Sequence, residues 1–225
     1  MPIEDHFSPF VNEHYEIKEW RHAVAILRSD FPDEWAHIVE MLESFRLYRA
    51  WIEERGGNRS KLAAWVDHTL GEHGWEETKF ETQIKVDDTT RDSPTHKVDC
   101  FRNRVALELE WNNKDPFYDR DLNNFRLLFD LGVVSVGVIF TRSDELQGVF
   151  DEMGRGSSYG NSTTHMSKLL PRLEGGGGGG CPVLAIGIKR SLLTDAEPPE
   201  VPAKAKKPRK KRAAPAPLLE PQGHA

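Results

Sequence analysis

Asp99, Glu108 and Glu110 are the residues whose types and spacing are best suited to chemistry. They lie in one stretch, His96 to Trp111, which predicts two short strands joined by a tight turn at Arg102-Asn103. The second strand alternates strictly. Val105, Leu107, Leu109 and Trp111 take one face; Arg104, Ala106, Glu108 and Glu110 take the other. A two-residue hairpin would pair Phe101 with Arg104 and Asp99 with Ala106. Asp99 and Glu108 would then be diagonal neighbours on one face, roughly 7 Å apart at Cα, close enough to share an ion. Three acids on one sheet face, with an apolar face behind them, suit a hard divalent cation. Spacing alone leaves a second arrangement open. Glu108 and Glu110 would lie on a solvated face, and Asp99 would only join a turn.

The elements that must position these acids follow from length and patterning. The chain has 225 residues, enough for one good-sized domain, or one domain and a tail. Apolar residues make up 38%, with six Trp and eleven Phe as bulky anchors. No apolar run approaches the roughly 18 residues that cross a membrane. The acidic stretch Met1-Pro2-Ile3-Glu4-Asp5 lacks the apolar region of a signal peptide. Two cysteines, Cys100 and Cys181, make no disulfide framework. A cytoplasmic protein is the expectation. The net charge of −6 divides unevenly, with residues 189–225 at +5 and the other 188 residues at −11. An overall basic charge, the usual footprint of a nucleic-acid binder, is absent.

Residues 1–29 show no sustained period, and Trp20–Leu27 suits either a helix or a strand. A helix is predicted from Asp30-Phe31-Pro32-Asp33, carrying Trp35, Ile38, Val39, Leu42, Phe45 and Trp51, to a stop at Gly56-Gly57. A second runs from about Ser60 to Gly71 or Gly74. Trp75–Val86 reads as a strand and Asp87–Pro94 as a loop. Beyond the acidic stretch, Asn112–Pro116 is a loop and Asp119–Leu131 a helix stopped by Gly132. Val133–Phe140 is a near-continuous apolar run, suited to a strand buried on both faces. Ser143-Asp144-Glu145 is expected to cap a short helix to Met153. Gly154–Ser162 is a Gly/Ser/Tyr loop, Thr163–Leu173 a helix, and Pro182–Ile188 another apolar strand. Alternating strands and helices imply an α/β fold with a central mixed sheet flanked by helices. Composition shifts near Ser191. Residues 1–190 are expected to form one catalytic domain, and 191–225 a disordered Pro/Ala/Lys-rich basic tail. Lys204–Arg212 holds seven basic residues in nine positions, which would bind phosphates or only aid solubility.

Asp99, nine residues to Glu108, then Glu-x-Glu at the end of an apolar strand resembles the PD-(D/E)xK nuclease signature. The whole region resembles type II restriction endonucleases of the BglII/BstYI kind. The helix ending Glu72-His73-Gly74-Trp75, the strand Val133–Phe140, the loop Gly156-Ser157-Ser158-Tyr159 and the last strand Pro182–Ile188 extend the likeness over roughly residues 58–188. Three departures stand out. Val98 replaces the usual proline before the Asp. Glu110 stands where the signature has Lys and this family has Gln. The six glycines Gly175–Gly180 are unlike the family.

The resemblance implies a restriction-endonuclease-like fold and Mg²⁺-dependent hydrolysis of double-stranded DNA. Cleavage would fall at a short, GATC-centred palindrome and leave 5′-phosphates. A palindrome implies a homodimer, and host protection implies a cognate methyltransferase. Asp99 and Glu108, with the Leu109 carbonyl, would hold one or two Mg²⁺ ions. Glu110 has three open roles: holding a water, acting as general base, or helping to bind a second metal. The loop carrying Arg155, Ser157, Ser158, Tyr159 and Asn161 would read bases. Asn112, Asn113 and Lys114, just past the catalytic strand, would touch the scissile region. Arg102 and Arg104 are either phosphate contacts or hairpin charges. The departures keep two other readings open: a low-specificity repair or mobile-element nuclease, and a non-catalytic DNA-binding module. Other clusters point nowhere. His68 and His73 do not share a helical face, no Cys/His spacing suits zinc, and the glycine run lacks the Lys of a P-loop. Trp35, Trp51 and Trp65 read as core.

Overall fold

The computed structural model describes residues 2–54, 60–93 and 95–202. In chain order, a 3₁₀ turn (Ile3–His6) leads to α1 (Pro9–His14), β1 (Tyr15–Trp20), α2 (Ala23–Asp30), α3 (Pro32–Ser44), β2 (Leu47–Tyr48), α4 (Arg49–Glu53) and α5 (Lys61–Glu72). Next come β3 (Glu76–Lys79), β4 (Thr82–Val86), β5 (Thr89–Ser93), β6 (Lys97–Arg102) and β7 (Val105–Leu109). Then follow α6 (Phe117–Asp130), β8 (Val136–Arg142), α7 (Leu146–Glu152), α8 (Met166–Glu174), β9 (Val183–Ile188), a 3₁₀ turn (Arg190–Leu192) and β10 (Leu193–Thr194). No described helix is long and apolar enough to cross a membrane.

A six-stranded mixed sheet in the order β1-β9-β8-β7-β6-β3 organises the molecule. Its centre, β7-β8-β9, is parallel, and the outer pairings are antiparallel. Parallel neighbours need crossovers, and α6 and α8 supply them on one face. That face packs Ala106, Ile139, Val183 and Ala185 against Tyr118, Leu122, Phe125 and Leu169. The other face packs Val105, Leu107, Leu109, Val138, Phe140 and Ile186 against Leu27 of α2, Ile38 and Leu42 of α3, and Leu62 and Val66 of α5. Every residue of β8 and β9 is buried, as their unbroken apolar runs require.

Several expectations need correction. The hairpin turn is Asn103-Arg104, one residue later than the spacing suggested. Both residues are left-handed, at φ 42° and 70°, as a type I′ turn demands. The observed pairs are Cys100 with Leu107, Phe101 with Ala106 and Arg102 with Val105. The long helix expected from Asp30 breaks after Ser44. On a continuous helix Phe45 and Trp51 would point about 120° apart. The break brings their rings within 6.5 Å of each other in one core. Its expected stop, Gly56-Gly57, lies outside the described residues. The strand expected over Trp75–Val86 is two strands, and the expected loop Asp87–Pro94 contains β5. The β4–β5 hairpin turns at Asp87, whose φ is 51°, and β4 is almost wholly exposed, Ile84 and Val86 included, so no burial pattern announces it.

Ser143 does not cap α7, and its hydroxyl is buried without a partner. Asp144 instead accepts from the Ser167 N–H (3.0 Å) and hydroxyl (2.6 Å) at the start of α8. The glycine run makes a tight connection from α8 to β9. A Cβ on Gly177 would lie 2.9 Å from the Arg172 carbonyl oxygen, so that position has no room for a side chain. Packing also continues past Ser191, because Leu192 is buried and β10 pairs with β2. The basic run Lys204–Arg212 lies outside the described residues.

Candidate active site

Asp99 and Glu108 are locked to each other across β6 and β7. Continuing the observed register by one pair sets them directly opposite, rather than diagonal. The Asp99 N–H donates to Glu108 Oε2 at 3.3 Å. The Leu109 N–H donates to Asp99 Oδ2 at 3.1 Å. Asp99 is half-buried, whereas Glu108 is 1% exposed and its Oε1 has no hydrogen-bond partner. Glu110 follows just past β7 and continues beside β8. Its N–H donates to the Phe140 carbonyl at 2.9 Å, and its own carbonyl accepts from the Thr141 hydroxyl at 2.7 Å. Its carboxylate accepts from Asn113 Nδ2 at 2.8 Å and Arg120 Nη2 at 3.3 Å.

The three acids share a face as expected, but that face is covered by α6 rather than solvated. Helix α6 adds two residues that the reading of the sequence missed. Arg120 Nε donates to Asp121 Oδ1 at 2.8 Å, so one guanidinium holds Asp121 and Glu110 together. Asp121 is fully buried, and its Oδ2 has no partner. A signal for it existed. Tyr118, Asp121, Leu122, Phe125 and Leu128 recur at helical spacing, so an acid stands on the inward stripe.

Burial dominates the electrostatics. Burial first, and the Asp121 and Asp99 carboxylates next, push the Glu108 pKa well above the ordinary carboxylate value. Burial and Asp121 push Glu110 up to about 9. Burial also raises Asp121, against the opposing pull of its Glu110 hydrogen bond and of Arg120. The Arg120 guanidinium is itself partly desolvated, yet Asp121 and the glutamates outweigh that and strengthen its hold on its proton. Such a cluster must take up protons or more positive charge.

Among the described residues, no three Asp, Glu, His or Cys side chains are grouped to ligate one ion. Glu110 is turned toward Asn113 and Arg120, while Asp99 and Glu108 hold each other's backbone. A site with two carboxylates still suits Mg²⁺, which usually completes its shell with water and phosphate oxygens. The unpartnered, buried Oε1 of Glu108 is an oxygen donor suited to such an ion.

The remaining predicted site residues fall into two groups. Asn112 and Lys114 are exposed, and Asn113 is half-buried against Glu110. Ser157, Ser158 and Asn161 are exposed on the Gly154–Ser162 segment. Arg155 is half-buried, with Nη2 3.5 Å from the Glu54 carbonyl. Tyr159 does not face outward. Its ring stacks on Phe150 with centroids 4.2 Å apart and meets Trp111 edge-on, so it anchors the segment. Arg102 is a hairpin charge, since it binds Glu34 at 2.9 Å and the His73 carbonyl at 2.7 Å. Arg104 lies in the turn, at the opposite end of β7 from the acids.

The two groups are joined by backbone. The Asp115 N–H donates to the Ser162 carbonyl at 3.0 Å, and the Thr164 N–H to the Asn113 carbonyl at 2.9 Å. Between them Lys114 and Thr163 form an antiparallel bridge. The loop leaving the acidic strand and the end of the Gly154–Ser162 segment are therefore tied together by backbone hydrogen bonds.

A mixed α/β sheet carrying buried acids at the end of a central strand, with helices on both faces, is a restriction-endonuclease-like nuclease core. The family model for restriction endonuclease BglII/BglIII matches residues 15–188. The chain belongs to that family, and its class is that of the type II site-specific deoxyribonucleases. No curated protein matches the chain.

Proposed function

We propose that this protein is a Mg²⁺-dependent type II restriction endonuclease, cutting double-stranded DNA at a short, GATC-centred palindrome and leaving 5′-phosphates. The observation that carries this reading is the cross-locked pair of Asp99 and Glu108 beside Glu110, in a chain of the BglII/BglIII family. Asp99 and Glu108, with the Leu109 carbonyl, would hold the ion. When bound, Mg²⁺ would neutralise phosphate charge and lower the pKa of a coordinated water.

The chain's own residues supply the rest. The Leu109 N–H fixes the Asp99 carboxylate, and the Asp99 N–H fixes that of Glu108. Asn113 and Arg120 aim the Glu110 carboxyl, which a bound cation would keep ionised, so that it would accept a hydrogen bond or a proton from the attacking water. Water oxygen bonds to phosphorus and the bond to O3′ breaks. The water's proton passes to Glu110, the phosphate stays on the 5′ side, and the leaving 3′ oxygen takes up a proton from solvent. Lys114 and Asn112 would contact phosphates near the cut. Arg155, Ser157, Ser158 and Asn161 would meet base edges, with Tyr159 securing their backbone. A palindrome calls for a homodimer, and the reaction for a cytoplasmic setting with a cognate methyltransferase.

The test is digestion of a long, unmethylated double-stranded DNA with Mg²⁺, followed by sequencing of the ends. Discrete fragments sharing one palindrome at their ends are expected. A featureless smear would indicate a low-specificity nuclease. DNA binding without any cutting would indicate a binding module.

A further inference from the structure

Arg142, the last residue of β8, is 1% exposed and stands among the largest fully buried side chains. Among the described residues, no carboxylate pairs with it. Its Nη2 donates to Thr163 Oγ1 at 3.0 Å, to the Tyr159 carbonyl at 3.1 Å and to Gln147 Oε1 at 3.4 Å. Its Nε and Nη1 are buried without partners. The guanidinium carbon lies 5.2 Å from the centre of the Phe150 ring. Asp144 acts on it only at longer range, and a buried charge without a direct ion pair is expensive, so packing alone would be better served by Met or Leu. A different requirement keeps Arg at this position.

The contacts of Nη2 identify that requirement. They hold the Gly154–Ser162 segment at the Tyr159 carbonyl and, just past its end, at the Thr163 hydroxyl. Beyond its turn hydrogen bonds and the Tyr159 ring, the segment depends on these contacts, since it contains Gly154 (φ 67°), Gly156 and Gly160. The Thr163 hydroxyl passes the constraint on by donating to the Gly160 carbonyl at 2.8 Å. Thr163 also bridges Lys114, next to the Asn113 that holds Glu110.

We propose that Arg142 is a positioning residue for sequence discrimination, clamping the base-reading segment and tying its position, through Thr163 and Asn113, to Glu110. This rests on the reading of Gly154–Ser162 as the base-reading segment. A segment held before DNA arrives loses less freedom on binding. A segment tied to Glu110 lets a poor fit to the bases lower the rate as well as the affinity.

The test uses the full chain and the site mapped with the wild type. Arg142→Met and Arg142→Lys are compared with wild type on that site and on sites altered by one base, recording kcat, KM and thermal midpoint. Arg142→Met is expected to narrow the kcat/KM ratio between cognate and altered sites by about tenfold, with kcat at the cognate site falling too. Arg142→Lys, which keeps a donor, is expected to recover part of the ratio. A residue that only supports the fold would move the midpoint and leave the ratio alone. An unchanged ratio in Arg142→Met overturns the proposal. If that variant does not fold, Thr163→Val removes the clamp's acceptor and leaves Arg142 in place. The same narrowing is expected, and an unchanged ratio again overturns it. Absence of site-specific cutting by the wild type would overturn the proposed function, and this inference with it.

Discussion

Asp99 and Glu108 hold each other's strands: the Asp99 N–H donates to the Glu108 carboxylate, and the Asp99 carboxylate accepts from the N–H beside Glu108, at Leu109. The two side chains thus perform a structural task and a proposed chemical one. Glu108→Gln keeps the acceptor oxygen and removes a buried carboxyl whose ionisation is disfavoured. Its thermal midpoint without Mg²⁺ is expected to match or exceed that of wild type, while cleavage falls by about 10²-fold or more. Asp99→Ala should cut activity as deeply and also lower the midpoint, because the Leu109 N–H loses its partner. Full cleavage by Glu108→Gln would remove this residue from the site.

The raised pKa of Glu110 gives stability a pH dependence of definite sign. A carboxyl near 4.5 when unfolded and about 9 when folded binds more protons in the folded state between those values. Without metal, the folded state therefore loses stability as pH rises from about 4.5 toward 9. Burial of Glu108 and Asp121 acts in the same direction. Urea midpoints across pH 5–9 should fall, and Glu110→Gln should flatten the slope. Millimolar Mg²⁺ should raise the thermal midpoint, and more at pH 8 than at pH 6. No Mg²⁺ shift at either pH would argue strongly against a cation site.

Among the described residues, Arg120 is the one cation touching both Glu110 and Asp121, and its side chain is 29% exposed. Partial exposure tempers its value, so Arg120→Ala is expected to cost on the order of 1 kcal/mol by urea denaturation. The same change should steepen the fall of stability with pH, since two buried acids lose their counter-ion. Arg120→Lys should recover part of both. An unaltered pH slope in Arg120→Ala would mean that the ion pair does not control these acids.

Arg102 anchors the hairpin from its far end. It pairs with Glu34, which is 2% exposed, and caps the His73 carbonyl at the end of α5. Arg102→Ala leaves the buried Glu34 carboxylate without its cation and, since Arg102 is itself about a third exposed, should destabilise by about 1 to 2 kcal/mol. Adding Glu34→Gln to it should restore part of that. Strict additivity in the double-mutant cycle would show that the pair is not coupled.

Some of this was written in the order of residues alone. The strict alternation from Val105 to Trp111 decided which side chains face the acids and which face the core. The unbroken apolar runs before Phe140 and before Ile188 decided that β8 and β9 lie inside the sheet. Gly132 ended α6, and the Asp-Glu-x-Glu order carried the family. All of these depend on interactions between residues close in sequence, or on a simple period.

Tertiary structure decided the rest. The register of the hairpin turned on which residues adopt left-handed backbone, and Arg102 is drawn into the strand by Glu34, far away in sequence. The break after Ser44 follows from Phe45 and Trp51 competing for one core. Tyr159 faces inward because Trp111 and Phe150 offer it a ring-lined pocket. The acidic stretch singled out three carboxylates, but the site they occupy holds a fourth, Asp121, and a guanidinium, Arg120. Only the packing of α6 over β7 brings these together, because the charge balance of a buried site depends on every element that covers it.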